Sequence, residues 1–140
     1  MGPRIAHALA TTNVDADVLA VHQLTVELAE TISQASWLLF LDAREGGIAG
    51  TIHEERLAPE ANLPASFSHH LNATQLLACA QAMFGRAPEA WLLSVTAKSF
   101  EFAEGLTVEV ENAVPEFIER IRRRVVALTS DPQRNENPGA

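Results

Sequence analysis

Five consecutive apolar residues, Trp37-Leu38-Leu39-Phe40-Leu41, stop abruptly at Asp42. A strand with one wet face alternates apolar and polar side chains. An unbroken apolar run marks a strand covered on both faces, as in a parallel sheet between helix layers. Trp91 to Thr96 is a second run of this kind, and Thr51 to Glu55 reads as a further strand after the Gly46-Gly47 and Gly50 loop. Asp17 to Val21 is a short β-type run ahead of them.

Helical signals separate these strands. Pro3 suits a first helical turn, and Ile5 and Leu9 repeat at i, i+4. Thr25 is placed to cap a helix through Ile32, with Leu28 and Ile32 inward. Asn72 followed by Gln75 resembles a capping box. It opens a helix whose face carries Leu76, Leu77, Ala80, Met83 and Phe84, with Gly85 as its C-terminal stop. Thr107 begins the last helical region, striped by Val110, Val114, Ile118, Ile121, Val125 and Leu128, with Pro115 expected to kink or break it. Such alternation predicts an α/β fold: a three-layer α/β/α sandwich with a mostly parallel sheet and right-handed crossovers. One domain covers residues 1–128. The polar stretch 129–140 reads as a disordered tail.

Composition narrows the function. The chain has 140 residues and a net charge of −8, which argues against nucleic-acid binding, because phosphates need clustered Lys and Arg. The basic cluster Arg120 to Arg124 is expected near a helix end, where the dipole favours cations. The single cysteine, Cys79, cannot make an intrachain disulfide and suits a reducing cytoplasm. Its apolar neighbours at helical spacing point to a buried, inert thiol. No apolar run reaches the length of a membrane span. The sequence lacks a GxGxxG or P-loop pattern, a GxSxG elbow and an HExxH helix.

Open α/β sheets bind ligands outside the carboxyl ends of their strands. That rule gathers His22 and Gln23, Asp42, Thr96 and Lys98, and the His69-His70 pair at one rim. Asp42 and His69 form the heart of this candidate site. An acid and imidazoles together could bind nickel or zinc, or act as an acid/base pair. Plainer duties compete with each of them. Asp42 could cap a loop, the adjacent histidines could serve a helix start, and His22 could be a polar strand end. His53, in a nearly alternating Thr-Ile-His-Glu-Glu strand, reads as a solvated strand residue, and His7 as an exposed helix residue.

Several segments in order resemble the maturation proteases of nickel–iron hydrogenases. They are Gly2-Pro3-Arg4-Ile5-Ala6, His22-Gln23-Leu24-Thr25, Leu41-Asp42-Ala43, His69-His70-Leu71, Gly85-Arg86-Ala87-Pro88 and the stretch from Phe100 to Thr107. The resemblance implies an endopeptidase that removes the C-terminal extension of a hydrogenase large-subunit precursor after nickel insertion. It implies that nickel is carried by the substrate, and that Asp42 and His69 are recognition ligands, with His70 the fallback for His69. His22 and Gln23 are the expected substrate contacts. No residue is singled out as catalytic base. Coordination requires an ionised carboxylate and a neutral imidazole, so recognition should weaken in acid.

The family pattern also places a first strand and a glycine-acid turn before the Gly-Pro that opens the first helix. Here Met1 directly precedes Gly2-Pro3. The expectation is therefore of a chain begun at an internal methionine, with the first strand and first acidic ligand upstream. A sheet without that strand exposes an edge, which a homo-oligomer could cover. The alternative function is a shortened, non-catalytic domain that docks a hydrogenase subunit or other partner. A small-molecule enzyme, with a deep apolar pocket at Asp42, is a third reading.

Overall fold

The computed structural model describes residues 16, 19, 21, 23–45, 48–61, 71–97 and 108–130. Their order is a 3-10 turn (Val26–Leu28) leading into α1 (Ala29–Ser33), then β1 (Trp37–Glu45), β2 (Ile52–Leu57), α2 (Ala73–Phe84), β3 (Glu89–Ala97) and α3 (Val108–Thr129). The three strands form one mixed sheet in the order β1-β3-β2, an α/β fold as the apolar runs predict. Contacts group the described residues into two compact units. One holds Val21–Phe40 and Arg56–Trp91; the other holds Leu41–Glu55 and Leu92–Ser130. Each strand therefore supplies residues to both.

The first unit is built on α2. Asn72 accepts from the Gln75 backbone N–H at 2.8 Å, and the Gln75 side chain accepts from the Asn72 N–H at 2.9 Å, which completes the capping box. Gly85 ends the helix at φ +82°, a conformation that favours glycine. Leu76, Leu77, Cys79 and Ala80 are buried with Ala29, Ile32, Leu71 and Ala90, and Leu38, Phe40 and Leu57 pack against them. Full burial of a leucine side chain contributes about 1.5–3 kcal/mol. Burial also pushes the Cys79 thiol up from its ordinary value, as expected of an inert core cysteine. Met83 and Phe84 depart from expectation: α2 outruns the core, and its last turn leaves both exposed.

The second unit holds α3. Its buried stripe is Ala113, Val114, Phe117, Ile121, Val125 and Leu128. Phe117 takes a central place that the stripe read from the sequence omits, and Ile118 is only partly buried. The helix continues through Pro115 without a break. The arginine cluster does not sit in the last turn. Instead Arg120 and Arg124 bind Glu54 of β2 at 3.0 and 2.7 Å, so ion pairing rather than the helix dipole accounts for them.

Other expectations need correction. The 3-10 turn follows Thr25, which makes no side-chain cap, and α1 begins only at Ala29. β1 does not stop at Asp42 but runs on to Glu45. Its apolar residues are partly buried, because β1 is an edge of the described sheet. The fully covered strand is central β3, where Leu93 to Thr96 are all buried. Leu19 and Val21 are exposed and belong to no strand. The helix expected at Pro3 to Leu9, the cap at Thr107 and the tail from 131 onward lie outside the described residues.

Candidate functional site

The turn between β1 and β2 sets the register of the site. Thr51 N–H bonds to Ile48 O at 3.2 Å, and Gly50 between them has φ +85°, the pattern of a turn that needs glycine at its third position. Gly50 N–H donates to Thr96 O at 2.7 Å, while Thr96 N–H donates to Thr51 O at 2.8 Å. Two residues of one strand thus face one of the other, with a left-handed glycine first. This is a glycine-led bulge of an antiparallel pair. It fixes β2 antiparallel to β3 and leaves β1 and β3 as the parallel pair of the mixed sheet.

Strand alternation then identifies which side chains share a face. Leu38 and Phe40 of β1, Ala90 of β3 and Leu57 of β2 all meet the α2 cluster. Counting in twos from each along its own strand reaches Asp42, Thr96 and His53. These three lie on one sheet face, towards the carboxyl ends of β1 and β3 and the start of antiparallel β2. A direct contact supports that register: Thr96 Oγ1 lies 3.4 Å from His53 Nε2.

Asp42 is exposed. Its Oδ1 accepts the N–H of Ala43 at 2.9 Å, and Oδ2 makes no hydrogen bond among the described residues. A carboxylate with one oxygen held and one open can reach a cation without first breaking a structural bond. Gln23 is also exposed, beside the isolated bridge that joins Leu24 to Leu71. Thr96 lies inside β3 rather than after it and is 1% exposed. His22, His69, His70 and Lys98 lie outside the described residues. Among the described residues, no group of three or more His, Cys, Asp or Glu is placed to hold a metal ion.

Glu54 sits on β2 next to His53 and leaves the opposite face. Burial alone would raise its pKa. Hydrogen bonds and charge from Arg124 and Arg120 outweigh burial and hold the carboxyl below its ordinary value. The same residues tie β2 to α3, so Glu54 anchors the strand that presents His53. Sequence reading gave His53 no role. Its four-residue spacing from Leu57 was visible, but the bulge that pairs Thr51 with Thr96 was not.

The fold is an α/β fold with its open carboxylate on the β1 strand, three residues before that strand ends. Solved structures share it. The chain matches the hydrogenase maturating endopeptidase HybD from Escherichia coli with a TM-score of 0.61 and 22% identity, over 89% of this chain and 82% of that one. It matches the solution structure of an endopeptidase from Escherichia coli with a TM-score of 0.63 and 22% identity, over 85% and 78% respectively. No protein-family model and no curated protein sequence matches the chain. Among the described residues no helix is long and apolar enough to cross a membrane.

Proposed function

We propose that the protein is an endopeptidase that removes the C-terminal extension of a nickel-loaded hydrogenase large-subunit precursor, working in the cytoplasm. The observation that carries this reading is the pairing of a fold shared with a hydrogenase maturating endopeptidase and an open carboxylate, Asp42, in the carboxyl half of β1. Nickel belongs to the substrate. Asp42 contributes one ligand and His69 another, with His70 in its place if the register shifts by one. Carboxylate oxygen and neutral imidazole nitrogen both suit divalent nickel. A precursor without nickel lacks the charge that this pair would bind, so the metal serves as a checkpoint on maturation. His22 and Gln23 contact the polypeptide beside it.

Incubation with a nickel-loaded precursor tests the reading. Loss of the C-terminal tail, seen as a mass decrease in the precursor, is the expected result, with no loss from the nickel-free precursor. A stable complex without cleavage would establish a docking role instead.

A further inference from the structure

We propose that His53 is the proton acceptor of this site and that Thr96 is its positioning residue, an inference that rests on the endopeptidase reading above. Three observations converge on it. His53 shares a sheet face with Asp42, by alternation from Phe40 and Leu57. Its side chain is exposed, as contact with an incoming polypeptide requires. One ring nitrogen, Nε2, faces the buried Thr96 hydroxyl at 3.4 Å, long for a hydrogen bond, as acid–base pairs often are before substrate arrives.

The partner of one imidazole nitrogen decides the state of the other. The Thr96 hydroxyl can accept from Nε2–H or donate to Nε2; the first arrangement, which this role requires, leaves the lone pair on Nδ1. Thr96 is held in the central strand at 1% exposure, so it is a fixed post rather than a mobile surface hydroxyl. The glycine-led bulge at Gly50–Thr51 brings the two residues into register. In hydrolysis, Nδ1 takes a proton from the attacking water as the water oxygen bonds to the scissile carbonyl carbon. The carbon–nitrogen bond then breaks, and the same proton passes to the departing amine. Neutral imidazole is regenerated, leaving one new carboxyl end and one new amino end.

A plainer duty for the same contact is that His53 merely satisfies a buried hydroxyl. Two substitutions separate the alternatives. His53→Gln keeps a donor for Thr96 but cannot accept a proton near neutrality. His53→Ala leaves a gap that free imidazole can enter. Cleavage of the nickel-loaded precursor is measured for each, with melting temperature recorded alongside. The expected result is a kcat about 10²- to 10⁴-fold lower in both variants, with KM little changed, and partial recovery of His53→Ala in added imidazole. Thr96→Val should lower kcat with KM held, and Thr96→Ser should restore it. Full activity in His53→Gln would overturn the proposal and leave the endopeptidase reading intact. An inactive wild-type chain would overturn both.

Discussion

Asp42, the ligand of the proposed function, can be replaced without disturbing the protein. Its side chain is exposed and, among the described residues, its one hydrogen bond is to the next residue on its own strand. Asp42→Asn should therefore change stability by less than about 0.5 kcal/mol. Activity should fall by more than the roughly 10–100-fold typical of losing a metal's outer-shell partner, and parallel denaturant melts and cleavage assays would show that split. Glu54 is the opposite case, a structural charge. Its carboxyl is held below the ordinary value of 4.5 by Arg124 and Arg120. A depressed folded pKa means the pairing contributes in full above that value and is lost as pH falls through the folded one. Glu54→Gln should cost roughly 1–3 kcal/mol at neutral pH, a figure held down by partial solvent screening. The gap from wild type should close in melts taken progressively below pH 4.5; a gap that persists in acid would mean the charge is not what stabilises. The sequence singled out Asp42 as a candidate because a charge directly after an apolar run stands out. It did not single out the contact between His53 and Thr96, because the two are 43 residues apart.

Elements with local rules were read most accurately. The start and stop of α2 follow from Asn72, Gln75 and Gly85 alone, since capping depends on side chains within one turn. Asn72→Ala should cost about 1 kcal/mol. At Gly85 an added Cβ would meet no atom within 4 Å. The cost of Gly85→Ala is thus purely the left-handed backbone, about 1 kcal/mol, and both are measurable by urea unfolding. Pro115 shows where local rules mislead. It predicts a break, yet α3 runs unbroken because its buried stripe continues on both sides, from Ala113 and Val114 to Phe117 and Ile121. Packing outweighs a propensity penalty of about 3 kcal/mol. Pro115 is exposed, so Pro115→Ala should stabilise the protein by about 1–3 kcal/mol with no loss of contacts, raising the melting temperature. Strand ends were read less well. The apolar run gave the middle of β1 but not its continuation through Asp42 to Glu45, because ladder bonds depend on the neighbouring strand rather than on the residues themselves.

At the scale of the molecule, the division of contacts into two units raises the question of whether they unfold together. The sequence indicated one domain over residues 1–128, because periodicity reports each element and not the grouping of contacts. Every strand is divided between the units: β1 passes from one to the other at Phe40–Leu41, β2 at Glu55–Arg56 and β3 at Trp91–Leu92. Neither unit can therefore lose its share of the sheet without breaking three strands in mid-course. Cooperative unfolding is the expected consequence, and the protein carries suitable probes for it. Both tryptophans, Trp37 and Trp91, fall in the unit built on α2, while the longest helix, α3, falls in the other. Tryptophan fluorescence reports on the first, whereas far-ultraviolet circular dichroism reports on the helices of both. Coincident urea transitions by the two probes are expected, as for a two-state domain. Glu54→Gln should move both midpoints together, although the residue lies in the unit without tryptophan. A fluorescence midpoint that stays fixed while the dichroism midpoint falls would mean two independently folding units joined by shared strands.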